Sequence, residues 1–303
     1  MSRYRLEPDE TPTESLRRVA AEQLEKGLRE LDEEDLHEAV HQVRKRCKKV
    51  RALVRLVRPG FAGYAQANRD LRDAARRVSD LRDAEAHLET LGALQGRYGE
   101  ALDEAALERV SRALRARRDA LAEEHLEGPG TKQLREDLAR ILRASARWEV
   151  KGDDWEAVGG GLARTYGRAR ERFEDAYDEP TVEAFHEWRK RVKYHRYHVR
   201  LLQGCWEGPM RARREALHEL SDRLGEAHDL AVLGDALTGL ELDGGVGGVI
   251  QALIDRRREA LRRAARPLAR RLFVEDEGAL TRRFEAAWRA AREGEADAIR
   301  LVE

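Results

Sequence analysis

HEAVHQVRKRCKKVRALVRLVR, His37 to Arg58, is the stretch from which the rest of the chain can be read. A helix turns about 100° per residue, so with His41 placed at 0° the residues Val40, Val43, Cys47, Val50, Val54 and Val57 share an arc of about 160° to 260°. That arc is a core-facing stripe. His37, His41, Arg44, Lys45, Lys48, Arg51 and Arg55 occupy the opposite arc, from about 280° through 0° to 40°. Positions 41 to 58 hold eight Lys or Arg and no acid. A solvated outer face has no reason to exclude Glu, which forms helix as well as Lys does and adds i,i+4 support when signs are mixed. The all-positive face wants an anion.

FHEWRKRVKYHRYHVRLL, Phe185 to Leu202, repeats the pattern without a gap at an offset of 145. His41 pairs with His186, Arg44 with Arg189, Lys45 with Lys190, Lys48 with Lys193, Arg51 with Arg196 and Arg55 with Arg200. The apolar stripe repeats as Phe185, Trp188, Val192, Val199 and Leu202. Further on, Arg211 to Leu240 matches the segment from Ala62 to Gln95 at an offset of 146, which sets His228 on Arg82. The duplication predicts two pseudo-symmetric antiparallel helical bundles whose basic helices line one central channel.

The residues H-x-x-R-K-R-x-K-x-x-R, from His41 to Arg51 and again from His186 to Arg196, resemble the CHAD domain family, named for its histidine-bearing all-helical domain. Leu81-Arg82-Asp83 and Ala227-His228-Asp229 add a weaker pair, and the likeness runs from Glu10 to Arg292. The resemblance implies two pseudo-symmetric helical bundles that bind inorganic polyphosphate, a non-catalytic module without a cofactor, and an association with polyphosphate granules. Some members carry a triphosphate tunnel enzyme domain upstream. None is expected here, because the first helix lies so near the first residue.

Composition agrees with an all-α class. The 303 residues hold only 7 prolines and 6% aromatics, and no run of alternating β-branched residues occurs. Lys+Arg and Asp+Glu are both 58, so net charge argues for no partner; the segregation of charge does. Two cysteines, Cys47 and Cys205, neither demand an oxidising compartment nor form a metal cluster. With no apolar leader and no long apolar run, a soluble cytoplasmic protein is expected.

Taken in order, residues 1–12 read as a loose arm, 13–150 as one bundle half, 151–293 as the other and 294–303 as a tail. Thr13 with Glu14 opens the first helix, and Asp32 or Asp35 caps the basic one. Arg58-Pro59-Gly60 ends that helix, and one long helix from Ala62 to Gln95 follows. Asp153 or Asp154 caps the first helix of the second half, and Glu179-Pro180-Thr181 starts its basic helix, which the run Gly204 to Pro209 ends. The run Gly244 to Gly248 reads as a break, and each half counts five helices.

The candidate polyanion ligands are His41, Arg44, Lys45, Lys48, Arg51, Arg55, Arg82, His186, Arg189, Lys190, Lys193, Arg196, Tyr197, Arg200 and His228. Arginine adds forked geometry toward phosphate that lysine lacks. Five of these have a second reading. His41 and His186 either donate to phosphate or hold a carboxylate, and Arg82 and His228 either form ion pairs or sit at the inner end of the channel. Tyr197 either offers its hydroxyl to phosphate or packs at the bundle edge. His37 and His41 have the i,i+4 spacing of zinc ligands but no third ligand, so no metal is expected. His195 falls on the apolar arc and reads as core, while His198 lies off both arcs. Two other functions compete: a nucleic-acid binder, for which Gln42, Trp188, Tyr194 and Tyr197 are a thin supply of base-reading groups, and a phosphohydrolase or regulator acting on polyphosphate, for which the basic arcs lack metal-holding carboxylates.

Overall fold

The structure is a computed structural model that describes residues 4–7, 9–33, 35–152, 154–239 and 244–300. Its elements are α1 (Pro12–Glu33), α2 (Leu36–Leu56), α3 (Tyr64–Arg76), α4 (Ser79–Tyr98), α5 (Glu104–Glu127), α6 (Gly130–Ser145), α7 (Glu156–Asp178), α8 (Val182–Leu201), α9 (Glu207–Thr238), α10 (Gly244–Leu272) and α11 (Glu277–Arg300). Among the described residues there is no strand, as the all-α reading expects.

Local chemistry sets most of the boundaries. Asp35, not Asp32, caps α2, its carboxylate accepting from the His37 and Glu38 amides at 2.9 and 3.2 Å. Thr181 caps α8 by accepting from the Ala184 amide at 3.1 Å. The first helix opens at Thr11 rather than Thr13. The Thr11 amide donates to Glu14 and the Glu14 amide to the Thr11 hydroxyl, a reciprocal capping box with Pro12 in the first helical position. Asp154 caps nothing with its side chain; its carboxylate accepts from the Trp288 indole of α11, while Asp153 lies outside the described residues. α8 ends at Leu201, just before the run from Gly204, whose Gly208 and Pro209 already fall in the first turn of α9, whereas the glycines from Gly244 open α10 rather than break a helix.

The expected helix from Ala62 to Gln95 is two, α3 and α4, which makes six helices before residue 150 and five after. The break at Arg77 and Val78 has a visible cause. Arg44 of α2 donates to the carbonyl oxygen of Ala75 at 2.8 Å, and the Ser79 hydroxyl donates to that of Arg76 at 2.8 Å. Carbonyls that a continuous helix would use for its next turn are satisfied from outside it. At the aligned positions α9 runs through Arg223, Leu224 and Gly225 without interruption.

The apolar stripes meet in one core. Val40, Val43, Cys47, Val50, Val54 and Val57 are fully buried, together with Trp188, Val192, Val199 and Leu202 from α8 and its end. The cluster takes residues from α1, α2, α3, α4, α6, α7, α8, α9, α10 and α11, so the two halves share it. Gly161 lets α7 reach α2, since a Cβ there would overlap the Leu56 carbonyl oxygen. A second cluster, with Leu91, Leu94, Val110, Leu230, Leu233, Ile250 and Ile254, joins α4 and α5 to α9 and α10. α4 leaves the first cluster after Leu81 and enters the second at Leu91, while α9 passes from Leu224 to Ala227.

The arm expected to be loose is docked over residues 4–7. Tyr4 and Leu6 are buried, the Tyr4 hydroxyl donates to the Lys49 carbonyl at 2.7 Å, and the Leu6 amide donates to the Leu201 carbonyl at 2.8 Å. At the other end, α11 continues through the segment expected to be a tail as far as Arg300. Among the described residues no helix is long and apolar enough to cross a membrane.

Candidate functional site

A cavity of ≈ 880 Å³ opens between α2, α4, α8 and α9, with Arg257 reaching it from α10. The packing already described puts it there. α2 and α8 bury their valine and aromatic stripes in the shared core, which turns both basic arcs the other way. Thirteen of the fifteen candidate residues line the cavity: His41, Arg44, Lys45, Lys48 and Arg51 from α2, Arg82 from α4, His186, Arg189, Lys190, Lys193, Arg196 and Tyr197 from α8, and His228 from α9.

Two candidates do not. Arg55 turns to α3, donating to the Tyr64 hydroxyl and the Asn68 side chain at 3.0 Å each, with its guanidinium 4.4 Å over the Tyr194 ring. Arg200 is exposed beyond the cavity wall. Both lie past the point where α3 and the N-terminal segment cover the ends of the basic helices.

α4 and α9 contribute what the arcs of α2 and α8 lack. Asp83, Glu89, Asp222, Glu226 and Asp229 line the cavity, with Arg97, Arg257, Ser221 and Tyr194. Asp83 lies 3.9 Å from Arg44, and Asp229 lies 3.8 Å from Arg189. These two equivalent pairs follow from Leu81-Arg82-Asp83 and Ala227-His228-Asp229, whose shared aspartate was the available signal. The lining still counts eleven Lys and Arg against five Asp and Glu, so the wall is strongly positive in a chain of zero net charge.

Lys48 and Lys193 line the cavity half-buried, one from each basic helix. Neither makes a hydrogen bond or an ion pair among the described residues. Burial, then the charges of Arg44 and Arg189, pushes Lys48 down to about 8. Burial, then the charge of Lys48 itself, pushes Lys193 down to about 7. Lys190, by contrast, donates to Glu187 one turn back on α8.

The histidines are held neutral. His186 and His228 meet Nδ1 to Nδ1 at 3.3 Å, one ring donating and the other accepting. Burial, then Arg189, pushes His228 down to about 3, and burial, then Arg82, lowers His41. At neutral pH these rings can offer an N–H to a phosphate oxygen but no charge. Arg82 satisfies both of its readings: it holds Glu89 by two hydrogen bonds of 3.0 and 2.8 Å while lining the cavity. Tyr197 is buried, packs edge-on to Tyr4 at 6.0 Å and carries Arg196 over its ring at 5.2 Å, so it holds the wall as much as it lines it.

His195 and His198 are structural. His195 is fully buried with neither ring nitrogen partnered, 5.1 Å from the Tyr166 ring, where the apolar arc placed it. His198, off both arcs, has a seam role that the arcs could not reveal: its Nε2 donates to the Ala52 carbonyl at 2.9 Å, tying α8 to α2. Among the described residues no group of three or more His, Cys, Asp or Glu is placed to hold a metal ion.

A family model described as CHAD domain matches residues 10–238. Two solved structures share the fold. PptA from Streptomyces chartreusis is 16% identical, with a TM-score of 0.56, covering 87% of this chain and 98% of that one. The CHAD domain from the plant Ricinus communis is 19% identical, with a TM-score of 0.61, covering 95% of each chain. No curated protein matches.

Proposed function

Because the chain belongs to the CHAD domain family, we propose that the cavity between α2, α4, α8 and α9 binds inorganic polyphosphate or a similar linear polyanion, without catalysis. The observation that carries this reading is the pair Lys48 and Lys193: two half-buried ammoniums from the two basic helices, in one cavity, without a carboxylate on either. Like charges held this way weaken the empty protein and wait for a counter-charge. A chain with a negative charge on every phosphate supplies one at each step. Arg44 and Arg189 add forked donors on either side, and the neutral rings of His41, His186 and His228 add uncharged ones.

We take the two basic helices as products of an internal duplication that act on one ligand from opposite sides. The aspartates and glutamates in the wall keep several arginines oriented in the free protein and can release them to phosphate. Nucleic acid is the weaker candidate, since the basic arcs carry few base-stacking rings at the cavity, Tyr194 being the chief one. The test is titration with polyphosphates of graded length, in competition with single-stranded and duplex DNA. Polyphosphate should bind and outcompete both. Equal competition by DNA would overturn the assignment.

A further inference from the structure

Lys49 and Arg200 lie just outside the cavity, on the two helices that carry its basic walls. At the offset of 145 they are the counterparts of Tyr194 and Arg55. Those counterparts touch, the Arg55 guanidinium standing 4.4 Å over the Tyr194 ring. The bond of 2.9 Å from His198 to the Ala52 carbonyl fixes α8 against α2 three residues after Lys49 and two residues before Arg200, within a turn of both. Where one copy of this contact sets a cation against a ring, the other has a cation at both positions.

The coverings differ as well. α3 gives Arg55 two acceptors, Tyr64 and Asn68. On the other side the N-terminal segment gives Lys49 only the face of the Tyr4 ring, 5.3 Å from its Nζ. Tyr4 packs on Tyr197 at 6.0 Å, and Tyr197 lies under Arg196 at 5.2 Å, so an unbroken row of side chains joins Lys49 to Arg196. Neither the Lys49 nor the Arg200 side chain makes a hydrogen bond or an ion pair among the described residues. Lys45 stands one turn before Lys49 on α2 and Arg196 one turn before Arg200 on α8, and both of these line the cavity. After burial, the charges that act most on Lys49 are Arg46, Lys45, Arg200 and Lys26, without an acid among them. Only Arg46 is already held, by Glu30 at 3.2 Å.

We propose that Lys45, Lys49, Arg196 and Arg200 form an outer anion site, continuous with the cavity, for the part of a long polyphosphate chain that emerges from it. Four residues of helix rise about 6 Å, so a chain leaving past Lys45 and Arg196 meets Lys49 and Arg200 on the next turn of each helix. The site rests on the reading of the cavity as a polyphosphate site and gives it selectivity for chain length. A chain short enough to be enclosed never reaches the outer pair. A long one gains those contacts at the high effective concentration that the first foothold provides.

The test is the double variant Lys49→Gln, Arg200→Gln in the full chain. The comparison is Lys132→Gln, Lys151→Gln, which removes two exposed cations elsewhere. Each is titrated with tripolyphosphate and with a long polyphosphate. The outer variant should bind long polyphosphate at least about tenfold more weakly, and its slope of log affinity against log salt should shrink by roughly one to two. Its affinity for tripolyphosphate should stay within about twofold, which also reports an intact fold and cavity. The comparison variant should match the unaltered protein with both ligands. Unaltered long-chain affinity in the outer variant overturns the proposal, as does an equal loss with both ligands or an equal loss in the comparison variant. The two readings fail separately. If the unaltered protein binds both polyphosphates and the outer substitutions are silent, this site alone falls; if it binds neither, the reading of the cavity falls and the outer site with it.

Discussion

Arg44 donates to the carbonyl oxygen of Ala75 at 2.8 Å, so a residue of the cavity wall also closes the end of α3. Its counterpart Arg189 makes no such bond, and α9 passes the aligned point unbroken. Replacing Arg44, Lys45 and Lys48 together with Ala should therefore cost about 1.5–3 kcal/mol of stability, the loss of a hydrogen bond from a charged donor to a half-buried carbonyl. Replacing Arg189, Lys190 and Lys193 should move the melting temperature little, since Ala is the best helix former and Lys193 is under repulsion. Both variants should bind polyphosphate at least about tenfold more weakly. Calorimetric melting and titration measure the two effects; unaltered affinity in either variant for every chain length ends the two-sided reading.

Stability and affinity should respond to pH in opposite directions. Lys49 and Lys193 are pushed down to about 7 and Lys48 to about 8, burial being the first cause in each, against about 10.4 in the unfolded chain. In this range the unfolded state holds more protons, so stability rises with pH. A bound polyanion favours the charged lysines, which raises their pKa, so affinity is greatest below the free values and falls as pH climbs through them. Between pH 6.5 and 8, below the range where unfolded thiols ionise, the melting temperature should rise while affinity drops. Proton uptake on binding at pH 7.5, read as a dependence of the calorimetric heat on the buffer used, is the accompanying signature. A melting temperature and an affinity that rise together would contradict the placement of these amines.

Binding should also weaken steeply with salt. If roughly 6 to 10 phosphates displace counterions from the wall, affinity should fall about 10³- to 10⁵-fold between 50 and 200 mM salt. Disabling one basic helix should cost long polyphosphate more than short, because only a long chain gains from a second foothold at high effective concentration. A flat salt response would exclude an electrostatic cavity.

His195 separates packing from binding. Its buried ring has two unpartnered nitrogens and stands where the aligned helix has Val50. His195→Ala should destabilise the fold by about 2–4 kcal/mol through the cavity it leaves. His195→Leu removes the unpaired polar atoms and should be neutral or stabilising. Neither should change polyphosphate affinity by more than about twofold, which equilibrium unfolding and titration on the same preparations can check.

The apolar stripe and its repeat were legible because burial at helical spacing leaves a periodic trace, and every valine of the first stripe is in the core. Eleven wall residues followed from the opposite arcs for the same reason, and Arg82 and His228 from the duplicated pair that follows them. Features that depend on a distant partner left no such trace. The break at Arg77 needs Arg44 from another helix. The acidic side of the wall comes from α4 and α9, whose carboxylates read as ordinary solvated charges until packing turns them inward. Arg55 has the angle of a wall residue, and only the crossing of α3, with Tyr64 and Asn68, takes it away. Arg200 likewise has the right residue type and lies beyond the wall.

The docking of Tyr4 and Leu6 has a consequence in time. Leu6 leaves the ribosome long before its partner, since the carbonyl it binds belongs to Leu201, 195 positions later. At about 5–20 residues per second, the segment waits roughly 10–40 s for its partner to be synthesised. Through that interval two apolar side chains have no finished surface to cover them. This segment thus settles only after α8 is complete, and the core it covers is finished later still, when α9, α10 and α11 add their residues.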